Sequence, residues 1–430
     1  MLKNFIKELE WRGMLQDFIP GCEDQLLEKS HSGYIGFDPT SDSLHIGSLV
    51  QILILMHFQQ CGHKPFVLVG GATGMIGDPS GKSNERNLLS QDDLNKNIKG
   101  IHKQLSKFLN FDSDNTNSAV LCNNNDWFKN INLIDFIRDT GKFITVNYMI
   151  AKESVKKRLS KDSSVGMSFT EFSYQLIQAY DFYYLFSKMN CLIQMGGSDQ
   201  WGNITSGVEL IRKKTGEKAY ALTCPLITKA DGTKFGKTED GNVWLDRNKT
   251  SPYKFYQYWL NISDADAKKY IKIFTFYSKD EIDEYIKIHD EAPHQRFLQK
   301  TIAEFLTKLV HSEKDLEKSI IASNILFGKS TSEELSKLDE KTFLDIFEGV
   351  PNINISFDEI KQPLLVQEFL YKAKFLSSKS EIIRALKQNS ISINKEKVDS
   401  SYSISKENLI CKKYILAQRG KKNYYLISFN

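Results

Sequence analysis

His45 and Gly47 lie two residues apart at the end of a stretch, Gly33 to Ser48, that reads GYIGFDPTSDSLHIGS. Tyr34-Ile35-Gly36-Phe37 is an apolar run of strand length, and Asp38-Pro39-Thr40 breaks it with turn chemistry. The apolar run from Leu49 to Phe58, ending near Gly62, has the length of a buried helix. The unit is therefore strand, turn, helix, with His45 and Gly47 at the helix entrance. Backbone N–H groups without intrahelical partners and the positive end of the dipole attract anions there. A phosphate could approach the backbone at Gly47 and accept a bond from His45. A histidine at a helix start is equally read as a cap or a packed surface residue.

Three more stretches carry residue types suited to polar ligands. In HKPFVLVGGATGMIGDPSGKSNER, a buried-strand pattern from Pro65 to Val69 ends at Gly70-Gly71, followed by one carboxylate, Asp78, and two cations, Lys82 and Arg86. Neither common nucleotide motif is present. The glycines fall at Gly71, Gly74 and Gly77, which breaks GxGxxG, and Ile76 stands where a P-loop needs its first glycine before Gly81-Lys82-Ser83. Such a loop could hold an ammonium and a polyphosphate near each other, or be a plain loop at a sheet edge. In FTEFSYQLIQAYDFYYLF, Tyr174, Gln178 and Asp181 share one helix face at i, i+4 and i+7, while Phe172, Leu176, Ala179 and Phe182 supply a core face. A phenol, an amide and a carboxylate in one stripe suit a small polar ligand; a wet helix face is the bland alternative. CLIQMGGSDQWGNI is a further strand, closed by Gly196-Gly197 and followed by Ser198-Asp199-Gln200 at a helix start.

The elements that must position these groups read as an open α/β sheet. Strand, helix, strand implies a parallel crossover. In such sheets ligands bind at the carboxyl ends of strands, and three such ends carry Asp38/His45, Gly71/Asp78 and Gly197/Asp199/Gln200. LTCPLITKADGTKFGKTEDG then gives a strand, an Asp-Gly turn and a loop on which Lys234 and Lys237 bracket Phe235-Gly236. Two ammonium groups on a glycine-containing loop suit a clamp on phosphates, or a solvated charged loop. The basic stretch KESVKKRLSK, Lys152 to Lys161, is open between a solvated face and a phosphate-facing one.

Expected domains follow from these patterns. Residues 1–225 form a Rossmann-like parallel-sheet domain with an insertion near 125–160, and 226–246 form the lysine loop. Residues 247–350 are helical and amphipathic with little glycine, 351–362 form a linker, and 363–430 form a small α+β module of two short helices and then strands. The net charge is +4, unevenly placed: Lys361 to Asn430 holds 14 Lys+Arg against 5 Asp+Glu, so the rest is net acidic. Basic residues interleaved with Tyr414, Tyr424 and Tyr425 suit RNA contacts. No apolar run is long enough for a membrane span, and MLKNFIKELEWRG lacks the pattern of a signal peptide. Six scattered cysteines without a CxxC pair argue against a zinc site and for a reducing compartment, so a cytoplasmic location is expected, with no membrane and no DNA partner.

YIGFDPTSDSLHIGS, GGATGMIGDPSGKSNER, FTEFSYQLIQAYDF, GGSDQWGNI and KADGTKFGKT, in this order and spacing, resemble the bacterial-type tyrosyl-tRNA synthetases, class I aminoacyl-tRNA synthetases. HIGS matches the family's HIGH motif and KFGKT its KMSKS loop; Ser48 departs, standing where the general class I motif has a second histidine. The tail is similar to an RNA-binding module shared with a ribosomal protein of the small subunit. The resemblance implies that Asp181 and Tyr34 hold the phenol hydroxyl of L-tyrosine. Asp78, Tyr174 and Gln178 would hold its ammonium, and Gln200 would approach its carboxylate. Asp38 would order the network and, with Gly36, Gly47, Gly197 and Asp199, belong to the ATP side. Thr40, His45, Ser48, Lys82, Arg86, Lys234 and Lys237 would surround the phosphates. ATP is then a substrate, Mg²⁺ travels with it, and no structural metal is expected. Tyrosyl-adenylate forms with release of pyrophosphate, and the tyrosyl group passes to the 3′ end of tRNA(Tyr). The family is dimeric, and Asn130 to Met149, with Phe136, Ile137, Phe143 and Tyr148, is the candidate patch for a homodimer. Two other readings stand beside this one: a class I synthetase for tryptophan, and a catalytically inactive synthetase-like RNA-binding protein.

Overall fold

The structure is a computed structural model that describes residues 2–79, 89–112, 114–152, 155–156, 167–233, 235–238, 241–327, 332–348, 350–420 and 423–430. Two compact units emerge: Met1–Asp246 with Ser263–Leu298, and Arg247–Ile262 with Gln299–Asn430.

The first unit is built on a six-stranded sheet in the order β1-β6-β5-β2-β3-β4. The strands are β1 (Asp17–Phe18), β2 (Ser32–Phe37), β3 (Lys64–Val69), β4 (Val120–Asn123), β5 (Cys191–Gly197) and β6 (Tyr220–Cys224). All pairings are parallel except that of β1 with β6. From β2 the order runs outward through β3 and β4 on one side and through β5 and β6 on the other. The chain thus reverses its direction of growth beside β2, the place where open α/β sheets leave a crevice. Near-continuous Val/Ile/Leu runs form these strands because both faces are covered: Val67, Ile193, Ala221 and Leu222 are fully buried.

The helix Ile46–Gln60 follows β2, as its apolar run predicts, and Leu49, Ile52, Leu53, Ile54 and Leu55 have no exposed surface. Each such side chain stabilises the fold by about 1.5–3 kcal/mol. Gly62, at φ 91°, takes the left-handed backbone that ends the helix and turns the chain into β3. The helix Phe169–Met189 starts at a capping box, Ser168 with Glu171, and stops at Asn190 in the left-handed conformation. Its polar stripe does not face water: Tyr174 and Asp181 are buried along with Ala179 and Phe182.

The second unit differs from the expected division. Of the helical stretch read as one domain, Asp264–Phe274 and Lys279–Glu291 belong to the first unit. Residues 351–362, read as a linker, contain the strand Asn352–Ile355, which pairs in parallel with Asn423–Phe429. It lies at the edge of a five-stranded sheet with Tyr414–Arg419, Ile391–Ile393 and Glu396–Lys397. A strand whose partner arrives some seventy residues later has too short a pattern to stand out as structure.

One core in this unit joins helical side chains, among them Ala322, Ile325, Leu335 and Phe343, to Tyr414, Leu416 and Leu426 of the sheet. Of the tyrosines read as RNA contacts, Tyr414 is buried in packing, while Tyr424 and Tyr425 are only partly buried. Tyr414 is buried against Phe343 and donates to Glu340 Oε1 at 2.6 Å; Tyr425 donates to the Ala373 carbonyl at 3.1 Å. Tyr424 packs on Phe347 and accepts from Lys395 Nζ, which also donates to the Ile325 carbonyl at 2.8 Å.

Candidate active site

The carboxyl ends of β2, β3 and β5 open into one cavity of about 670 Å³. It is lined by Tyr34, Gly36, Asp38, Thr40, His45, Gly47 and Ser48 from the β2 end and the following helix, and by Asp78 from the β3 loop. Tyr174, Gln178 and Asp181 come from the long helix, and Gly197, Asp199 and Gln200 from the β5 end. Residues far apart in sequence converge because β3 and β5 flank β2 on opposite sides.

One end of the cavity is the helix entrance. His45 is the N-cap of Ile46–Gln60, and its Nδ1 accepts from the Gly47 N–H at 3.0 Å. A neutral imidazole held this way carries its proton on Nε2 and is a donor there. A side chain at Gly47 would meet the His45 ring, since a Cβ would lie 2.7 Å from Cε1. The glycine is therefore what allows the ring to fold over the helix start, and His45, read as a cap or as a phosphate donor, is a cap that also lines the cavity.

At the opposite end Asp181 is 1% exposed and accepts two bonds, from Trp127 Nε1 at 2.9 Å and Asn124 Nδ2 at 3.0 Å. Burial nevertheless pushes its carboxyl up to about 8, against the lowering effect of those two donors. The Tyr34 ring packs at 5.5 Å from Phe182, and its hydroxyl is buried without a hydrogen-bond partner among the described residues. Burial first, then the nearby Asp181 charge, raises the Tyr34 phenol well above its ordinary range. A buried hydroxyl and a buried carboxyl side by side form a site for a ligand group that both donates and accepts.

Between the two ends lie linked carboxylates. Tyr174 donates to Asp38 Oδ2 at 2.7 Å and Thr73 Oγ1 to Asp38 Oδ1 at 2.7 Å. Asn124 Nδ2 also reaches Thr73 Oγ1, at 3.1 Å, so the Asp181 and Asp38 ends share one network. Asp78 accepts from Gln200 Nε2 at 2.6 Å, and Asn203 Nδ2 bonds Gln178 Oε1 at 3.0 Å. Asp199 is raised by burial and then by the Asp78 charge. This acidic middle suits a cation.

Lys82, Arg86 and Lys234 lie outside the described residues, and so does most of the basic stretch 152–161. Lys237 is described only in its backbone, as a strand residue opposite Asn242. Thr73, Asn124, Trp127 and Asn203 were missed by sequence reasoning. Asn124 and Trp127 follow β4 in CNNNDW, and the carboxyl-end rule applied to that strand would have found them.

Comparison with known proteins agrees with this geometry. The model of the family "tRNA synthetases class I (W and Y)" matches residues 27–328, and that of the "Tyrosine--tRNA ligase SYY-like C-terminal domain" matches residues 342–427. The chain belongs to the class I tyrosyl and tryptophanyl synthetase family. Within this synthetase family, it is 58% identical over 429 residues to a tyrosine–tRNA ligase of Flavobacterium johnsoniae, covering 99% of each chain. It is 59% identical over 426 residues to one of Parabacteroides distasonis, again covering 99% of each. A crystal structure of a C-terminally truncated mitochondrial tyrosyl-tRNA synthetase of Aspergillus nidulans superposes with a TM-score of 0.66 at 30% identity, covering 76% of this chain and 94% of that one. The synthetase fold expected from the motif order, a parallel-sheet α/β domain, is the fold observed.

Proposed function

We propose that this chain is a tyrosine–tRNA ligase: it activates L-tyrosine with ATP to tyrosyl-adenylate and then transfers the tyrosyl group to the 3′ end of tRNA(Tyr). The observation that carries the substrate assignment is the buried pair Tyr34 and Asp181 at the end of the cavity opposite the His45 helix entrance. A phenol hydroxyl donates to one and accepts from the other; an indole offers a donor only. That asymmetry favours tyrosine over tryptophan. Phenylalanine leaves the Tyr34 hydroxyl buried without a ligand partner, at about 1–3 kcal/mol, and gives Asp181 nothing beyond Trp127 and Asn124. Rejection of phenylalanine on this ground is the established worked example for this enzyme family.

In the first step a tyrosine carboxylate oxygen attacks the α-phosphorus of ATP, the bond to the β-phosphate oxygen breaks, and pyrophosphate leaves. The substrate carboxylate is already ionised at neutral pH, so no protein nucleophile is needed. The chain supplies alignment and stabilisation of charge. Asp78, Tyr174 and Gln178 hold the ammonium, and Gln200 orients the carboxylate. Asp38, in its double hydrogen bond, fixes Tyr174. Gly36, Gly197 and Asp199 contact the adenosine. Thr40, His45, Gly47 and Ser48 meet the phosphates, with Lys82, Arg86, Lys234 and Lys237 as the cations. The Ser48 hydroxyl replaces the second imidazole of the class motif as a single donor. Mg²⁺ enters on the triphosphate as part of the substrate, held mainly by phosphate oxygens and water.

A homodimer is part of this reading. Leu133, Ile134, Ile137 and Val146 are more than half exposed in the insertion near 125–160, an apolar surface that a second copy would cover. A cytoplasmic location fits six free thiols. The basic tail is the tRNA-facing element, with Tyr424 and Tyr425 partly exposed and Tyr414 buried.

Amino-acid-dependent ATP–pyrophosphate exchange, run with tyrosine, phenylalanine and tryptophan, tests the proposal. Exchange with tyrosine alone is expected. Exchange with tryptophan would overturn the phenol site, and none from folded protein would leave an RNA-binding protein on a synthetase scaffold.

A further inference from the structure

The segment Phe235-Gly236-Lys237 holds a side chain whose use the reaction does not explain. Phe235 sits on the helix Asp264–Phe274, its ring stacked 5.3 Å from Phe274 at 25° and edge-on to Tyr270 at 5.2 Å. Both receiving rings are fully buried. The same helix takes the strand side of the loop through backbone bonds: Asp266 Oδ1 accepts from the Ala230 N–H at 2.8 Å, and Tyr270 donates to the Thr228 carbonyl at 3.2 Å. The receiving helix is itself tied down. The buried Arg12 guanidinium donates to the carbonyls of Lys272, Thr275 and Tyr277, each at 2.8 Å.

The next residue completes the geometry. Gly236 has φ 87°, a conformation costly for any side chain, and a Cβ there would lie 3.3 Å from Ile46 and 3.5 Å from the Gly47 nitrogen. The backbone therefore passes directly over the helix entrance that His45 caps. From there Val243 N–H reaches the Gly236 carbonyl, and Ile46 N–H the Val243 carbonyl at 2.9 Å.

We infer that Phe235 is a positioning residue: seated between Tyr270 and Phe274, it holds the Gly236 backbone against the helix start at Gly47, where the phosphates bind. The inference rests on the ligase reading above. An aromatic anchor one residue from this glycine fixes the backbone where it crosses the helix start. Tyrosine is bound elsewhere, at Tyr34, Asp78 and Asp181, so the anchor acts on the activation step and not on amino-acid binding.

The test uses the full-length protein with Phe235→Ala and Phe235→Leu. Wild-type exchange with tyrosine is measured first; its absence sinks the ligase reading and says nothing against a folded anchor. With wild-type exchange present, Phe235→Ala is expected to lower kcat for exchange about 10- to 100-fold, the loss that small misplacement of a catalytic group produces. Tyrosine affinity by equilibrium dialysis should stay within about twofold, and Phe235→Leu, which refills part of the seat, should recover most of the rate. Thermal melting checks that both variants are folded. Exchange by Phe235→Ala within about twofold of wild type, or equal losses in rate and tyrosine affinity, would overturn the proposal.

Discussion

Trp127 Nε1 donates to Asp181 Oδ1 at 2.9 Å, joining the end of β4 to the middle of the long helix. The indole is held for this by stacking on Tyr184, with ring centres 4.4 Å apart at 16°. The Asp181 end of the cavity is thus oriented by a side chain that does not line it.

Trp127→Phe keeps the stacking surface and removes the donor. Tyrosine-dependent kcat/KM is expected to fall about 5- to 30-fold, corresponding to about 1–2 kcal/mol for a bond to a buried acidic group. Exchange kinetics with tyrosine check it, and an unchanged value would show that Asn124 alone orients the carboxyl.

Tyr34→Phe should move stability and specificity in opposite directions. The Tyr34 hydroxyl is buried without a partner among the described residues, which costs roughly 1–3 kcal/mol in the free protein. Removing it is expected to raise Tm while discrimination between tyrosine and phenylalanine drops about tenfold or more. Calorimetry together with exchange on both amino acids reads the two effects, and a lower Tm with intact discrimination would contradict the assignment.

The Asp181 carboxyl, raised to about 8 by burial, binds its proton more tightly folded than unfolded. Its contribution to stability is therefore complete below its unfolded value of about 4 and is lost as pH rises through about 8. Tm of the wild type should decline from about pH 4 to about pH 8 more steeply than that of Asp181→Asn, which has no proton to lose there. Parallel profiles would refute the shift.

Acid acts through other groups. Burial, then the Arg12 charge, lowers His57 to about 3, and burial, then His31, lowers His63 to about 4. Their neutral forms stabilise the fold fully above about pH 6.5, and this stability is lost as pH falls towards those values. His57→Leu should flatten the acid limb of the Tm profile by up to about 1.4 kcal/mol per pH unit.

Tyr414→Ala should cost about 3–5 kcal/mol of stability in the second unit, because it empties a core shared by helices and sheet. Urea unfolding followed at the helices and at the sheet should shift by the same amount. A shift confined to the sheet would show that the two parts do not melt together.

Local pattern sufficed for the elements and for most of the candidate site. The apolar run after His45 could only be a buried helix, the strands of the parallel sheet were continuous apolar runs, and Tyr174, Gln178 and Asp181 shared a face by helical spacing alone. These features depend on a few neighbouring residues, whose geometry is set by backbone periodicity. Sheet order decided the rest. It brought β4 beside β3 and so placed Asn124 and Trp127 on Asp181, and it made a strand of residues 352–355 by supplying a partner at the far end of the chain. It also buried Tyr414 between helices and sheet, while Tyr424 and Tyr425 stay partly exposed. Hydrogen bonds and buried contacts between residues many positions apart have no local periodicity, so only the folded chain could reveal them.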